Sequence, residues 1–201
     1  MTEAKYGIII VAAPSGTGKS TLCTRLLHEE NKSIQLSVST TSRLPRGKER
    51  HGKEYFFVSP EKFKQKIAGG AFAEWAQVHE NLYGTEKNVL EDYWAKGFHV
   101  LLDIDVQGAH SLRKIYPKQI FTVFLMPPSM QELERRLRSR GTDSEKAIVK
   151  RMANAKLEID RKNEFDAVIV NDTLDQSYQE LKSAIQNFTK DLEAGLWQKR
   201  P

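Results

Sequence analysis

Cysteine is nearly absent from this sequence of 201 residues, in which Cys23 is the only one. One cysteine excludes an internal disulfide, so a packed core must stabilise the fold, and it predicts a reducing, cytoplasmic location. Cys23 falls beside leucines on a predicted helix, so we expect a small buried thiol rather than a catalytic one. No apolar run approaches the roughly 20 residues of a membrane span, and no signal-peptide pattern precedes the first predicted strand.

Metal-ligand spacing and internal repeats are also missing. The five histidines are scattered and show no zinc-type spacing. The net charge of +5 raises the alternative of a nucleic-acid partner. However, the arginines cluster around predicted loops and one helix end, which a mobile phosphate ligand explains as well as a duplex does. We therefore expect neither a nucleic-acid nor a membrane partner.

The most informative stretch runs from residue 7 to residue 21. Residues 8 to 11 are β-branched and predict a buried strand, and a helix is predicted to begin near Lys19. Between them lies the phosphate-loop spacing G-x-x-x-x-G-K-[ST], with Ala13 in place of the first glycine. Small residues let backbone N–H groups surround phosphate oxygens, and the helix adds its positive end. The predicted ATP-phosphate site comprises Ala13, Pro14, Ser15, Gly16, Thr17, Gly18, Lys19, Ser20 and Thr21.

Two further groups extend this site toward the triphosphate and a metal. Lys19 is placed to reach the β- and γ-phosphates, and the Ser20 hydroxyl to hold Mg²⁺. A second apolar strand, predicted to begin at residue 98, is followed by Asp103, which would reach the same Mg²⁺ through water. We therefore predict that the protein binds ATP with Mg²⁺.

Residues 34 to 96 interrupt the alternation of strands and helices and are predicted to form an inserted lobe. Arg43 and Arg46 are three residues apart across a proline. Guanidinium groups grip phosphate oxygens in a bidentate way, so this polar segment predicts a second phosphate site. We expect strands, a short helix that begins after Ser59, a turn at residues 81 to 85 and a second helix over residues 86 to 96.

Glu74 stands alone in an apolar predicted strand of this lobe. An unpaired carboxylate is unfavourable there, and guanine offers a matching pair of donors at N1 and N2. Ser39 and Thr85 are small hydroxyls that could meet the O6 side of the base. An ordinary salt bridge from Glu74 to Lys66 or Arg50 is an equally good explanation from spacing alone.

A pair of predicted helices around Gly141 has the properties of a lid. The first is rich in arginine, and Arg136 and Arg140 are spaced to share one face. A solvated basic face, with Glu132 paired to Arg136, is the alternative. A capping box at residues 142 to 145 is predicted to start the second helix. We expect a hinged element that presents arginines to a polyphosphate.

Taken together, these motifs resemble the guanylate kinase family over nearly the whole chain, in the family's order and spacing. The motifs are APSGTGKS (residues 13–20), RLPR (43–46), EYFF (54–57), EWA (74–76), NLYGT (81–85), DIDVQG (103–108) and RLRSRGT (136–142). The resemblance implies an α/β P-loop kinase fold, in which helices flank a parallel sheet. It divides the single domain into a core (1–33, 97–135 and 160–197), a GMP-binding lobe (34–96) and a lid (136–159).

The resemblance also implies a reaction, ATP + GMP giving ADP + GDP with Mg²⁺, and it assigns residues. The implied GMP contacts are Ser39, Arg43, Arg46, Tyr55, Glu74, Tyr83, Thr85 and Asp105. The implied catalytic set is Lys19, Arg43, Arg136, Arg140 and Arg151. Asn171 falls where the family approaches adenine. The sequence departs from the family's usual residues at Ser42, Lys48, Glu80 and Leu82, none of which removes a named contact.

Other functions stay open beside this one. A guanylate-kinase-like module that binds phosphopeptides without catalysis is disfavoured by Lys19, Ser20 and Asp103, because such a module needs no complete ATP site. A P-loop kinase with another phosphorylated acceptor is disfavoured by Glu74. The choice between GMP and dGMP, and between a monomer and a homo-oligomer, is not settled by the sequence.

Overall fold

In a computed structural model, which describes residues 5–78, 80–104, 106–139, 141 and 143–197, the chain alternates strands with helices. The strands are β1 (Ile8–Ala12), β2 (Ile34–Leu36), β3 (Thr40–Thr41), β4 (Phe56–Phe57), β5 (Phe72–Val78), β6 (Asn81–Glu86), β7 (His99–Leu102), β8 (Ile120–Met126) and β9 (Ala167–Val170). The α-helices are α1 (Lys19–Glu29), α2 (Pro60–Ala68), α3 (Lys87–Ala95), α4 (Val106–Ile115), α5 (Met130–Ser139), α6 (Glu145–Asp160) and α7 (Leu174–Glu193).

The central sheet is parallel, with the strand order β2-β7-β1-β8-β9. Its middle strand, β1, is buried along its whole length. The side chains of Ile9 and Val11 pack into the cluster that includes α1 and α7, whereas Ile8 and Ile10 pack against α3 and α4. Because helices cover both faces, an unbroken apolar run is the pattern that such a strand requires. The predicted α/β class is confirmed.

The carboxyl ends of these parallel strands share one edge of the sheet. The phosphate loop follows β1, Asp103 follows β7, and Asn171 follows β9. Ligands of open α/β sheets bind beyond this edge. The topology therefore brings together residues that lie up to 154 positions apart in the sequence.

A second sheet, with the order β4-β3-β6-β5, comes wholly from the inserted segment. The predicted turn at residues 81 to 85 is wrong, because these residues form most of β6 and pair antiparallel with β5. Gly84 allows this pairing, since a Cβ there would lie 2.9 Å from the backbone oxygen of Glu74. Residues that are typical of turns are thus used here for close packing in a hairpin.

Helices α5 and α6 pack on each other through Leu133, Leu137 and Ala155. The N-cap of α6 is Ser144, whose hydroxyl accepts the N–H of Ala147 at 3.3 Å. Thr142, where we expected the cap to begin, lies outside the described residues. No helix in the described part of the chain is long and apolar enough to cross a membrane.

Candidate active site

The phosphate loop turns sharply between β1 and α1. Gly16 and Gly18 both have φ of +98°, a left-handed conformation that other residues adopt with strain. The N–H of Thr17 donates to the carbonyl of Pro14 at 3.2 Å, and Gly18 serves as the N-cap of α1. The N-terminus of an 11-residue helix therefore points at the loop, which is the arrangement that favours phosphate binding.

Asn171 supports this loop from behind. Its side-chain Nδ2 donates to the carbonyl of Thr17 at 2.6 Å, and a Cβ on Gly18 would lie 2.5 Å from that nitrogen. Asn171 is buried, and its own carbonyl accepts Nη1 of Arg136 at 3.1 Å. The residue that we expected near adenine thus contacts the loop and a lid arginine, and its adenine contact stays a prediction.

Lys19 and Asp103 form an ion pair across the mouth of the loop. Both side chains line the same cavity as Ser20. Mg²⁺ usually keeps several waters and takes one or two protein ligands beside substrate phosphates. Ser20 and Asp103 supply a hydroxyl and a carboxylate, which fits that pattern. Among the described residues, no group of three or more His, Cys, Asp or Glu side chains is placed to hold a metal ion.

Glu74 projects from β5 into the cavity and is only 7% exposed. Its Oε1 accepts the hydroxyl of the fully buried Thr85 at 2.7 Å. Lys66, one of its two expected salt-bridge partners, pairs instead with Glu86 at 2.6 Å. The other carboxylate oxygen faces α4, where a Cβ on Gly108 would lie 3.2 Å from Oε2. A core helix thus borders the carboxylate of the inserted lobe.

Arg43 is buried beside Tyr55, with its guanidinium carbon 5.4 Å from the ring centroid. Glu49 holds it by two bonds of 2.9 Å, one to Nη1 and one to Nη2. Glu49 also accepts the backbone N–H of Arg46 at 2.8 Å. The bonds from Glu49, and then the Tyr83 hydroxyl, raise the pKa of Arg43 against the opposing effect of burial, and the bonds from Arg43 and Arg46 lower the pKa of Glu49. Both groups are therefore charged.

The aromatic side of the lobe is formed by Tyr55 and Tyr83, whose rings meet edge to face at 5.9 Å. Both line the cavity together with Ser39. Burial, with a smaller contribution from the Asp103 charge, raises the pKa of Tyr55, so its hydroxyl stays protonated and can donate. The side chain of Arg46 is exposed, and Asp105 lies outside the described residues.

The lid arginines reach the loop from α5 and α6. Arg136 bonds Glu132 at 2.7 Å, which is the pair that the alternative of a solvated basic face predicts, and it also donates to the carbonyl of Asn171. Arg151 donates to the hydroxyl of Ser15 at 2.5 Å and to Asp143 at 3.1 Å. Arg140 lies outside the described residues.

One cavity of about 590 Å³ joins the phosphate loop to the lobe. This volume is in the range of small-molecule sites. Its lining includes all the predicted loop residues except the buried Thr17. From the lobe it includes Ser39, Tyr55, Glu74 and Tyr83, and from the core it includes Asp103. A donor nucleotide and an acceptor could therefore occupy one continuous space.

Sequence reasoning missed three residues near this cavity. Glu158 of α6 lines it directly, Glu49 holds Arg43, and Gly108 borders Glu74. A signal existed only for Glu49, which is an acidic residue close to two arginines in a basic loop. Cys23 was placed correctly: burial raises the pKa of its thiol to about 12, so it is not a nucleophile.

A family model, curated relatives and a solved structure identify the family of this chain. The family model described as "Guanylate kinase" matches residues 5–188. The chain is 52% identical to the guanylate kinase of Oleidesulfovibrio alaskensis over 92% of its own length and 89% of the relative's. It is 48% identical to that of Dechloromonas aromatica, over 89% and 88%. The crystal structure of guanylate kinase from Anaplasma phagocytophilum superposes with a TM-score of 0.72 at 32% identity, covering 92% of this chain and 86% of that one.

Proposed function

The chain belongs to the guanylate kinase family, whose reaction is the ATP-dependent phosphorylation of GMP to GDP, and we propose that the cavity between the phosphate loop and the inserted lobe is its active site. The observation that carries this proposal is the continuity of the cavity, which has a phosphate-binding loop at one end and a buried carboxylate at the other. Such a space can hold ATP and GMP with their phosphates facing each other.

Glu74 is the proposed reader of the base. A carboxylate can accept guanine N1–H and N2–H together, whereas adenine offers no such pair of donors. Thr85 supports this role because its hydroxyl donates to Oε1 and helps to fix the orientation of the carboxylate. A polar site of this kind discriminates strongly, because a wrong base leaves buried groups unpaired. Ser39 is proposed to contact the same base, as is Asp105.

The proposed site for the GMP phosphate consists of two arginines and two tyrosines, Arg43, Arg46, Tyr55 and Tyr83. That phosphate is already ionised near neutral pH, since its second pKa is about 6. No general base is therefore needed, and catalysis consists of positioning and charge neutralisation. Lys19 and the lid arginines Arg136, Arg140 and Arg151 are proposed to balance the charge that spreads over the transferred group.

Members of this family act on nucleotides with a divalent metal, and we propose Mg²⁺ beside Ser20 and Asp103. Bound there, Mg²⁺ would neutralise negative charge on the phosphate oxygens. The Lys19–Asp103 pair keeps the loop's ammonium group compensated before ATP supplies its phosphates. The single cysteine supports the further proposal of a reducing, cytoplasmic location.

The lid and the lobe are proposed to exclude water from the transferred group. Arg151 already contacts Ser15 of the loop, and Arg136 contacts the segment that supports it. Water at this point would convert phosphoryl transfer into ATP hydrolysis. The lid arginines would thus serve both closure and charge balance.

A coupled assay of ADP release tests the proposal. The enzyme is given ATP and Mg²⁺ with GMP, AMP, UMP, CMP or dTMP in separate reactions. We expect turnover with GMP alone. Turnover with another acceptor would keep the phosphate loop but overturn the assignment of the lobe. ATP binding without any turnover would favour a non-catalytic module.

A further inference from the structure

The hydrogen bonds of Arg43 are distributed unevenly over its guanidinium group. A guanidinium has five N–H bonds, of which two lie on Nη1, two on Nη2 and one on Nε. Nη1 donates to Glu49 and to the carbonyl of Leu44, at 2.9 and 2.8 Å, and Nη2 donates once to Glu49. Among the described residues, the other two N–H bonds, one on Nε and one on Nη2, make no protein hydrogen bond of normal length, although the Tyr83 hydroxyl interacts with the guanidinium and raises its pKa.

These two remaining N–H bonds lie side by side, because a carboxylate that bridges Nη1 and Nη2 takes the inner N–H of each. Together they form the second bidentate edge of the guanidinium, which suits a phosphate or a carboxylate. The edge belongs to a group that lies against Tyr55 and is influenced by the Tyr83 hydroxyl, and both tyrosines line the cavity. One edge of Arg43 is thus held by Glu49, and the other is shared at most with the Tyr83 hydroxyl.

We propose that Glu49 is a positioning residue, which holds Arg43 by one edge so that the other edge is presented to the phosphate of GMP. This inference rests on the proposed role of Arg43 in GMP binding. Glu49 makes the placement rigid, since it also accepts the N–H of Arg46 and so ties both ends of the Arg43–Arg46 turn. Bidentate pairs fix orientation as well as adding energy.

The competing possibility is that Glu49 occupies the phosphate site itself and must leave when GMP binds. The two roles predict opposite results. If Glu49 positions Arg43, its removal weakens GMP binding. If it competes with the phosphate, its removal strengthens GMP binding. The carboxylate stays ionised at neutral pH in either case, because its partners lower its pKa.

The test measures GMP binding by titration calorimetry for the wild type, Glu49→Gln and Glu49→Asp. Gln keeps one acceptor but turns an amide donor toward the guanidinium, and we expect it to raise the Kd of GMP by about 10-fold or more. Asp keeps the charge but is one methylene shorter, so an intermediate rise is expected. The Kd of ATP should change little, whereas the melting temperature should fall, because the buried guanidinium of Arg43 loses a charged partner.

Glu54→Gln is the matched control. Glu54 lies in the same segment, accepts the backbone N–H of Arg50 at 2.7 Å and loses the same charge, but it has no bond to Arg43. A GMP Kd for Glu49→Gln that equals that of the control, or one below that of the wild type, would overturn the proposal. Guanosine, which lacks the phosphate, should inhibit the wild type and Glu49→Gln equally. A general distortion of the lobe would instead weaken the binding of both guanosine and GMP.

A double-mutant cycle with Arg43→Met separates this inference from the proposed function. If Glu49 acts through Arg43, Glu49→Gln has no further effect on the GMP Kd in the Arg43→Met background. An equal effect in both backgrounds would overturn the positioning role while leaving Arg43 as a ligand. A wild-type Kd that Arg43→Met leaves unchanged would remove Arg43 from the site altogether.

Discussion

Replacing Glu74 by Gln should strongly reduce the activity with GMP while leaving the binding of ATP intact. Glu74 is almost fully buried, and one of its oxygens already accepts the Thr85 hydroxyl at 2.7 Å. Each carboxylate oxygen can accept two bonds, so the bond from Thr85 does not by itself prevent acceptance of guanine N1–H and N2–H. A glutamine offers one neutral acceptor oxygen. Its amide nitrogen is a donor, so it cannot accept a hydrogen bond from the guanine N–H that it faces.

The expected magnitude follows from the lost bonds. A hydrogen bond to a charged group contributes about 1.5–3 kcal/mol, and the substitution removes one such bond and weakens another. We therefore expect the variant to lose about 3 kcal/mol of transition-state stabilisation with GMP, which lowers kcat/KM for GMP roughly 100-fold. The KM for ATP should stay within about 3-fold of the wild type, a change of less than 1 kcal/mol.

Inosine monophosphate makes the assay specific for the base. It keeps N1–H and O6 but lacks the 2-amino group of GMP. The wild type should prefer GMP by about 10-fold or more, and Glu74→Gln should narrow that preference. Glu86→Gln is the control, because Glu86 is a carboxylate of the same sheet that bonds Thr40 and Lys66, both at 2.6 Å, and does not line the cavity. An unchanged ratio of GMP to inosine monophosphate in Glu74→Gln would refute the reading of Glu74.

Two further predictions concern the neighbours of the site. Gly108→Ala should raise the KM for GMP but not for ATP, because the new Cβ would lie 3.1 Å from Cδ1 of Ile104 and 3.2 Å from Oε2 of Glu74, so the carboxylate must shift. The melting temperature should change little, because the helix preference of alanine over glycine, about 1 kcal/mol, is offset by these close contacts. Steady-state kinetics with thermal denaturation checks both parts, and a parallel loss of ATP affinity would contradict the explanation. Cys23 should resist thiol reagents in the folded enzyme, because a pKa of about 12 leaves about one thiolate in 10⁴ at pH 8. Rapid labelling at pH 8 before denaturation would show that the thiol is not buried as described.

The parts of the fold that the sequence predicted well are those with strong local patterns. The run of β-branched residues before the phosphate loop forms β1. The two glycines of the loop, Gly16 and Gly18, both adopt the left-handed conformation that favours glycine. Strand β7, predicted to begin at residue 98, is observed at His99–Leu102, because a fully buried parallel strand is apolar at every position or nearly so. In each case the neighbouring residues in sequence were sufficient.

Local pattern failed where a residue's role depends on a distant partner. Residues 81 to 85 contain Asn and Gly, which predict a turn, yet close contact of Gly84 with β5 makes them a strand. The support that the Asn171 amide gives to the phosphate loop, through the carbonyl of Thr17, joins residues 154 positions apart and could not be predicted from sequence neighbours. Glu49 is conspicuous as an acidic residue in a basic segment, but the sequence does not indicate which arginine it holds, because an irregular polar loop has no periodicity from which contacts can be read.

Glu74 shows why the site cannot be divided cleanly between core and lobe. Its backbone belongs to β5 of the lobe, its Thr85 partner to the neighbouring strand β6, and its second oxygen borders Gly108 of the core helix α4. The position of the carboxylate therefore depends on how the lobe packs on α4, and a change that separates the two would displace the group that we propose reads guanine. The same few atoms therefore contribute both to selectivity for the base and to the packing of the lobe on the core. For this reason a substitution in the core, such as Gly108→Ala, should lower the affinity for GMP, which we propose binds in the lobe.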